Sequence, residues 1–592
     1  MAPSRERIDS VVENGQQKGP VSEEVHERPL NSRSRVSVVC IGAGVSGIAT
    51  AIRVQETLEN CDFTIYEKNG DLGGTWLENR HEPCEIWYPG CACDVPAHAY
   101  TYTFEPNPDY SRYYVGSLEI HAYLKAVAKK HDVEKYVQYH HKLVSAVWNE
   151  ELGLWELAFE VSNSEKPEET QYFQRTCNVL INAGGLLNNW KWPAITGLTT
   201  FKGHLCHSAR WKDFDWEGKN IAVIGSGSSA IQIVPELQPI VGKMKAFIRS
   251  PTWIAPSQGF VDPKNEGPKN FHYTAAEKRK FREDPDEFLR YRKRIESDMN
   301  RTFDTFVKDS PKQKEAIHVF AKIMKDRLGG NEELASRLTP KFGVGCRRLT
   351  PGQNFLESLV KENVEVISDE IDHIEAEGLV TADGKLHKVD AIVCATGFNT
   401  TYRPRFKLVG RQGIPLFDLW ADTNAVEAYL AMAIPGFPNY FMFLGPNAPI
   451  SNGTLIPVME KQSEYMIRFV DKMQRQNLKA FDVKSDVVSQ LNERHQKFLQ
   501  RMVFTDNCRS WYKGGRADGK VIGIWPGSSL HYFETISEPR YEDWDYVYRE
   551  NNQWDFLGNG WTLLETKDRE TKEEDLAFYL LKPKEVLEAP ES

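Results

Sequence analysis

The stretch that decides the fold is Val36–Ile52, which reads VSVVCIGAGVSGIATAI. Its first part, Val36–Ile41, is a short apolar run of the kind that forms a buried parallel strand. Gly42, Gly44 and Gly47 follow in the order G-x-G-x-x-G, which allows a tight turn, a close backbone approach to a pyrophosphate and close packing of a helix on the strand. That helix would point its positive N-terminal end at the phosphates. The segment therefore predicts a dinucleotide-binding turn between a strand and a helix.

The next strand, predicted over Asp62–Glu67, ends in an acid. A carboxylate at this position accepts hydrogen bonds from the ribose hydroxyls of a dinucleotide. A glycine-rich turn that binds no ligand is the alternative. The complete order of strand, turn, helix, second strand and acid favours the dinucleotide site, with Glu67 as its ribose ligand.

A second unit of the same type begins at Asn220. The strand predicted over Ile221–Ile224 is followed by a G-x-G-x-x-A turn that ends at Ala230, and Pro235 is expected to bend the helix. The residues of this turn and helix that we expect to contact a second dinucleotide are Gly225, Gly227, Ser228, Ser229 and Gln232.

The strand after this helix, predicted over Lys243–Ile248, ends in Arg249 and Ser250 instead of an acid. A guanidinium pairs with a 2′-phosphate, whereas a carboxylate would repel it. The second site is therefore predicted to prefer NADP over NAD, unless Arg249 is only a solvated surface residue. Two sites of opposite ribose chemistry predict two cofactors, NADPH and, as the electron acceptor, FAD.

Composition excludes several classes of protein. The chain has 592 residues, of which 41% are hydrophobic and 26% charged, as in ordinary globular proteins. Its net charge of −10 does not suit binding to nucleic acid through the bulk field. The 10 cysteines are too sparse to predict a disulfide scaffold, and none shows the paired spacing of a metal site. We see no targeting segment and no apolar run long enough for stable membrane insertion, so we expect a cytoplasmic protein without bound metal.

The predicted fold class is α/β, with two Rossmann-like dinucleotide-binding domains and a helical insert in the NADP domain. Two similar strands that end in small-residue turns, Leu180–Gly185 and Asp390–Phe398, bracket the second unit, which suggests that it is inserted into the first. The predicted boundaries are a disordered tail over 1–34, the FAD domain over 35–190, the NADP domain over 191–380 with its insert at about 262–340, and the rest of the FAD domain with a C-terminal loop and substrate region over 381–592.

The segment Phe201–Trp211, FKGHLCHSARW, resembles the F-x-G-x-x-x-H-x-x-x-W signature of the type I Baeyer–Villiger monooxygenases, which use FAD and NADPH. The family pattern continues with Pro or Asp, whereas this chain has Lys212 and then Asp213. A Phe or Tyr in place of Trp211 would instead resemble the heteroatom-oxidising flavin monooxygenases. His207 could act as a general acid or base, but we favour a structural role because no acid pairs with it nearby in sequence.

The block that follows the first unit resembles the flavin-contacting loop of this family. By that resemblance the flavin contacts are Gly74, Thr75 and Trp76. In relatives the next Asn-Arg is followed directly by Tyr-Pro-Gly, but here seven residues, His81–Trp87, intervene. An insertion beside the flavin puts the loop geometry, and with it activity, in question.

The resemblance also assigns the reactive residues. Gly345–Arg348, GCRR, resembles the segment with the family's active-site arginine, so Arg348 is the implied catalytic cation and Arg347 a second 2′-phosphate partner. Asp94 matches the acid beside that arginine. Trp511 lies in a segment that resembles the family's C-terminal loop, which closes over NADP. Without the resemblance, surface ion pairing would be the favoured explanation of the two arginines.

The implied activity is an NADPH- and O2-dependent conversion of a ketone to an ester or lactone through a flavin C4a-peroxide. Arg348, which cannot lose its charge, would stabilise the peroxide anion, and Asp94 would orient Arg348. The block Asn79–Phe104 most resembles the fungal members of the family. That resemblance implies bulky cyclic ketones such as steroids, terpenoids or polyketides, often in secondary metabolism. An N- or S-oxygenating monooxygenase and a catalytically impaired nucleotide-binding redox protein are the alternatives. The oligomeric state cannot be inferred from the sequence.

Overall fold

The structure is a computed structural model that describes residues 27–78, 80–81, 86–162, 170–256, 270–566 and 576–580. Two five-stranded sheets, both parallel throughout, form its centre. They confirm the predicted α/β class with two Rossmann-like units. The first sheet has the order Tyr440–Met442, Val179–Asn182, Val36–Ile41, Cys61–Tyr66 and Val137–Gln138. The second has the order His204–His207, Ala391–Cys394, Asn220–Ile224, Lys243–Phe247 and Val364–Ile367.

The place of one strand differs from the prediction. Ala391–Cys394 pairs with Asn220–Ile224 and with His204–His207, so it belongs to the second sheet and not to the first. The second unit therefore extends past the predicted boundary at 380. The chain returns to the first sheet only at Tyr440–Met442, which pairs with Val179–Asn182. Apolar strands of this kind are buried on both faces, so their composition does not reveal which sheet they join.

Smaller sheets and the helices surround these two layers. A four-stranded sheet has the order Lys407–Val409, His141–Asn149, Leu154–Ser162 and Thr170–Cys177, and a three-stranded one has Ile371–Glu375, Gly378–Thr381 and Leu386–Lys388. Strand pairs join Ile254–Ala255 to Thr350–Pro351, Leu478–Val483 to Trp544–Tyr548, and Arg80–His81 to Ile86–Trp87. The helices outside the insert are Val45–Thr57, Thr75–Glu78, Ser117–Lys130, Ser228–Leu237, Phe355–Leu359, Leu416–Leu419, Leu455–Arg475, Ser485–Leu499, Ser529–Thr535 and Leu563–Thr566.

The C-terminal part of the chain packs on the first unit. Helix Val45–Thr57, whose inward residues from Ser46 to Ile52 are buried, lies against helix Leu455–Arg475. At this contact the Ser46 hydroxyl donates to the Met459 sulfur at 2.9 Å. The long helix also reaches the first sheet, since the ring of Phe469 lies 5.7 Å from that of Phe441.

Residues 27–34, the last part of the predicted tail, are held by main-chain contacts. The Leu30 N–H donates to the Trp561 carbonyl at 2.7 Å, and the Ser34 N–H donates to the Gln474 carbonyl at 3.2 Å. The rest of the predicted tail, 1–26, lies outside the described residues. Within the described ranges, no helix has the length and apolar character needed to cross a bilayer.

A helical insert lies within the predicted range 262–340, of which 262–269 fall outside the described residues. Each α-helix described in the insert starts at a side chain that accepts a backbone N–H, and Thr274 with Glu277 forms a complete capping box. Arg292 docks the insert on the first unit, since it donates to the His98 carbonyl at 3.1 Å and the Tyr102 carbonyl at 3.2 Å. The helices of the insert are Ala275–Glu283, Pro285–Asn300, Pro311–Arg327 and Glu332–Leu338.

The ring of His98 fills the joint between the first unit and the insert. It is fully buried, with ring centroids of Tyr273, Phe281 and Phe288 at 4.6, 5.4 and 5.1 Å. Nδ1 lies 3.0 Å from the Asn107 carbonyl, so this nitrogen carries the proton and donates. Burial, aided by the positive charges of Arg292 and Lys278, lowers the pKa of His98 to about 4. The folded protein therefore favours the neutral form of the His98 imidazole at this joint.

This burial predicts a loss of stability in acid. The folded pKa of His98 is about 4. An unfolded histidine titrates near 6.5, so the unfolded state binds more protons between these values and stability falls as pH falls through this window. We expect His98 to account for about 2 kcal/mol of the fall in apparent unfolding free energy between pH 7 and pH 5.

Urea titrations at the two pH values check this contribution. His98→Phe should show a correspondingly smaller fall, whereas His318→Gln, at an exposed helix position, should behave like the wild type. An identical fall in wild type and His98→Phe would contradict the assignment.

Candidate active site

The first cradle is formed by the glycine turn 42–47 and the loop that contains Gly74. Gly42 has φ 105°, and a Cβ there would lie 2.8 Å from the Ala183 carbonyl oxygen. A Cβ on Gly74 would lie 2.9 Å from the Cα of Gly44, so the two segments meet backbone to backbone. The same loop continues into Thr75, which is exposed, and Trp76, whose ring nitrogen donates to the Tyr100 hydroxyl at 3.2 Å. The predicted residues of this cradle are brought together.

Glu67 lies directly after the second strand and is buried beside this turn. One carboxylate oxygen accepts the Ala43 N–H at 2.8 Å, and the other accepts the backbone N–H and side-chain amide of Asn69 at 2.9 and 2.8 Å. Burial is the main cause that raises the pKa of Glu67. A carboxylate oxygen accepts more than one hydrogen bond, so Glu67 also fits the ribose hydroxyls of a dinucleotide.

The second cradle is formed by the glycine turn 225–230 and has the same kind of backbone geometry. Gly225 has φ 129°, and a side chain there would collide with the Ala395 carbonyl. Gly227 is the N-cap of helix Ser228–Leu237, whose first turn carries no acidic residue. The free N–H groups and the positive dipole end of this helix therefore suit a pyrophosphate. The Ser228 hydroxyl lies 2.6 Å from that of Thr350.

Gln232, predicted to contact the second dinucleotide, lies at the junction of the two units. The Tyr88 hydroxyl donates to its side-chain oxygen at 2.8 Å, and its amide donates to the Ala92 carbonyl at 3.1 Å. Ser229, three positions before Gln232 in the same helix, also hydrogen-bonds Tyr88. These contacts tie the second cradle to the segment that leads to Asp94.

A basic groove lies at the end of the second cradle, where Arg249, Ser250 and Arg347 meet. The Arg347 guanidinium donates to the Pro251 carbonyl at 3.0 Å, and burial, followed by the charge of Arg249, lowers its pKa. The contact between Arg249 and Glu370 is 3.5 Å long with both side chains more than half exposed, so it is weak. This arrangement fits a 2′-phosphate. Cations of this groove that the sequence motifs did not indicate are Arg337, Lys341 and Arg509.

Arg348 and Asp94 form a two-pronged ion pair. Nε and Nη2 of the arginine donate to the two carboxylate oxygens at 2.7 and 2.9 Å, and Nη1 donates to the Ile450 carbonyl at 3.2 Å. The charge of Asp94 raises the pKa of Arg348 above its already high value. The guanidinium is therefore a permanent cation in a fixed orientation.

Neighbouring backbone holds both partners of this pair in place. The segment around Asp94 is bonded to the chain near Val115, since the Cys93 N–H donates to the Val115 carbonyl at 3.1 Å. Arg348 lies two residues before Thr350–Pro351, which pairs as a strand with Ile254–Ala255. The orientation of the cation thus depends on ordered main chain on both sides.

The ion pair forms part of the wall of a cavity. Arg348 and Asp94 keep 26% and 23% of their side-chain surface exposed, so both reach this space. Aromatic side chains line much of it, namely Tyr113, Tyr114, Phe306, Phe504 and Tyr512.

A disulfide joins Cys346 to Cys508, with their Cα atoms 6.5 Å apart. The cysteine count did not predict it, because the two residues are 162 positions apart and only the tertiary fold brings them together. Trp511 lies on the short helix Trp511–Lys513 just after Cys508, with its ring 4.7 Å from that of Tyr512. Tyr512, and not Trp511, is the residue of this helix that lines the cavity.

Comparisons with known proteins agree with this geometry. The family model described as FMO-like, flavin-binding monooxygenase-like, matches residues 34–260. The FAD-binding monooxygenase stcW of Emericella nidulans is 41% identical over 547 residues, which cover 91% of this chain and 87% of the relative. A Baeyer–Villiger monooxygenase of Pseudomonas aeruginosa is 33% identical, over 84% of this chain and 88% of its own. The chain belongs to the Baeyer–Villiger flavin-binding monooxygenases.

Solved structures share the fold of this monooxygenase. The closed crystal structure of cyclohexanone monooxygenase superposes with a TM-score of 0.73 at 24% identity, covering 87% of this chain and all of that one. The complex of OTEMO with FAD and NADP gives a TM-score of 0.71 at 23% identity over the same share of this chain. These structures agree in fold with the family resemblance inferred from the Trp211 segment, which the relatives confirm.

His207 of the monooxygenase signature is fully buried, and each of its ring nitrogens has a hydrogen-bond partner. Nδ1 accepts the Ala209 N–H at 3.1 Å, Nε2 lies 3.3 Å from the Thr396 hydroxyl, and the ring stacks on Trp190. Burial lowers the pKa of His207 to about 4, which keeps the ring neutral. These contacts suit the structural role that we favoured, as does the burial of Trp211.

The two ends of the seven-residue insertion of this monooxygenase lie in short strands that pair with each other. Arg80–His81 pairs antiparallel with Ile86–Trp87, and residues 82–85 lie outside the described part of the chain. The chain then reaches Tyr88, which contacts Gln232. The segment after the insertion is therefore anchored on the second unit.

Proposed function

We propose that this monooxygenase uses NADPH and O2 to convert a bulky cyclic ketone into an ester or lactone. The observation that carries the proposal is the permanently charged Arg348, fixed by Asp94 on the wall of an aromatic cavity. A fixed cation stabilises negative charge that develops during a reaction without having to reorganise. The names of the relatives, which include Baeyer–Villiger monooxygenase, support the same chemistry.

FAD is proposed to occupy the first cradle. The backbone contact between Gly44 and Gly74, the helix N-terminus behind Gly44 and the carboxylate of Glu67 fit a pyrophosphate and a ribose. Bound FAD would supply the electron transfer and the activation of O2. Thr75 and Trp76 are proposed as further contacts on the loop beside the cradle.

NADPH is proposed to occupy the second cradle, with its 2′-phosphate in the basic groove. Arg249 and Arg347 would hold the phosphate, and Gly225 and Gly227 would let the backbone approach the pyrophosphate. A phosphate would relieve the repulsion between the two guanidinium groups that lowers the pKa of Arg347. The structural neighbour OTEMO was crystallised with FAD and NADP.

Arg348 is proposed to act on the reacting oxygen atoms. During oxygen insertion negative charge collects on oxygen, and a guanidinium at the cavity wall stabilises it in a region of low dielectric. Asp94 is a positioning residue, because it holds two N–H groups of Arg348 and leaves others for the cavity. Neither side chain is required to lose or gain a proton.

The proposed substrate is a bulky cyclic ketone of steroid, terpenoid or polyketide type. Aromatic rings line much of the cavity and offer large apolar surfaces, which suit the apolar ring system of such a ketone. Several of the similar proteins are fungal FAD-binding monooxygenases, which supports a role in secondary metabolism.

The experiment that tests this function is a product analysis. The purified protein is reduced with NADPH without oxygen and then exposed to O2 with a panel of cyclic and aryl ketones and a thioether. We expect esters or lactones by mass spectrometry. Preferential sulfoxide formation would favour the heteroatom-oxidising alternative, and a protein that does not oxidise NADPH would favour the impaired redox protein.

Replacement of Arg249 tests the assignment of NADPH. Arg249→Ala removes a cation of the basic groove. Charge-assisted hydrogen bonds contribute about 1.5–3 kcal/mol each, so KM for NADPH should rise between about 10- and 100-fold. KM for NADH, which lacks the 2′-phosphate, should change little. The exposed Arg290→Ala serves as the control, and an unchanged preference for NADPH in Arg249→Ala would refute the assignment.

A further inference from the structure

The disulfide Cys346–Cys508 lies between two segments that the proposed function needs. Cys346 directly precedes Arg347 and Arg348, and Cys508 precedes the short helix Trp511–Lys513. The two segments are 162 positions apart along the chain. The bond therefore fixes the arginine segment against the C-terminal segment.

The disulfide also lies beside both functional spaces. Cys508 lines the basic groove, Arg348 and Tyr512 line the aromatic cavity, and Arg347 lines both. Both sulfur-bearing residues are buried, at 0% and 2% exposure. Opening this one bond would therefore alter the walls of both the groove and the cavity.

Other contacts keep the segments together if the bond opens. The Asp506 carboxylate accepts the Gly343 N–H at 2.8 Å and pairs with Lys308 at 3.3 Å. The two segments should therefore stay folded after reduction but lose part of their fixed geometry. This makes the bond a modulator of the site and not a requirement for folding.

The surroundings of the bond favour its reduction. Arg347 and Arg509 directly follow the two cysteines and lie at the groove. Nearby positive charge stabilises a thiolate, and a disulfide opens faster when its leaving thiolate is stable. The groove is the approach to Cys508, and it is the same groove in which we place the 2′-phosphate of NADPH.

We propose that Cys346–Cys508 is a redox modification site that a dithiol reductant opens and that bound NADP protects. In the reaction, one thiolate of the dithiol attacks a sulfur of the bond, and its second thiol completes the exchange. The protein disulfide takes up two electrons and two protons, and the dithiol becomes a disulfide. In the cytoplasm, where we expect the protein, dithiol proteins perform such exchanges. The inference rests on the proposed NADPH site.

The expected consequence is a weaker NADP site in the reduced protein. A preorganised groove loses less entropy on binding, so opening the bond should weaken NADP+ affinity by about fivefold. The reduced protein should also release more hydrogen peroxide per NADPH consumed, because the C-terminal segment shields the cavity less well.

The test uses the full-length FAD-loaded protein purified without reductant. Thiols are alkylated after timed exposure to dithiothreitol, with and without NADP+, and peptides that contain Cys346 and Cys508 are quantified by mass spectrometry. Calorimetry gives NADP+ affinity before and after reduction. We expect a disulfide-linked peptide at the start, slower reduction with NADP+, and weaker affinity afterwards.

Variants separate this site from other thiols. Cys346→Ser and Cys508→Ser should bind NADP+ as the reduced wild type does and should not respond to dithiothreitol. Cys61→Ser, which removes a half-buried cysteine in another region, should respond like the wild type. Peptides already alkylated before reduction, or equal affinity in both states, would overturn the proposal. Peptide mapping needs no ketone, so a protein that meets these expectations but makes no ester would refute only the proposed function.

Discussion

Replacement of Arg348 by alanine is expected to lower the rate of ester formation by about 100- to 1000-fold, as removal of one such donor does elsewhere. The guanidinium is the fixed cation of the cavity wall, held by Asp94 and the Ile450 carbonyl. Reduction of FAD by NADPH should persist, because the basic groove does not include Arg348. Stopped-flow absorbance follows flavin reduction, and chromatography follows the ester.

Two variants act as controls for this result. Arg348→Lys keeps the charge but cannot form the two-pronged contact with Asp94, so it should recover only part of the activity. Arg347→Ala, one position away, should instead raise KM for NADPH. Ester formation at the wild-type rate in Arg348→Ala would show that this cation does not serve the reaction.

Replacement of Asp94 by alanine is expected to destabilise the protein by about 3 kcal/mol. Arg348 would then remain largely inside the fold without its carboxylate partner, which now binds it at 2.7 and 2.9 Å. Removing one partner of a buried pair is costly because the desolvated charge is left uncompensated. Urea unfolding of the wild type and the variant measures the loss.

The double variant Asp94→Ala with Arg348→Ala tests the coupling. Since it removes both charges, it should be more stable than Asp94→Ala alone, and Asp94→Asn should fall between the wild type and Asp94→Ala. If the two single changes simply add in the double variant, the pair is not energetically coupled and Asp94 is not the positioning residue.

The local parts of the fold could be predicted from the sequence. The strand Val36–Ile41 has the predicted bounds, and the strands before Glu67 and Arg249 agree to within a residue at each end. This works because the glycine turn, the apolar strand and the helix are encoded by neighbouring residues. The sheet that contains Ala391–Cys394 was predicted wrongly because strand pairing is a long-range contact.

The candidate active site could likewise be predicted only in part. Arg348 and Asp94 could be named because each lies in a recognisable segment, and the fold brings them into contact across 254 positions. The aromatic wall, including Phe306 and Tyr512, could not be predicted because its residues come from distant loops with no common spacing. The disulfide was missed for the same reason.

The most direct test of the central claim is oxygenation of a bulky cyclic ketone under oxygen-18 gas with NADPH. We predict a lactone that carries one heavy oxygen atom in its ring, formed in step with NADPH consumption. Consumption of NADPH with hydrogen peroxide as the only oxygen product, across the ketone panel, would contradict the assignment of this chain as an active ketone monooxygenase.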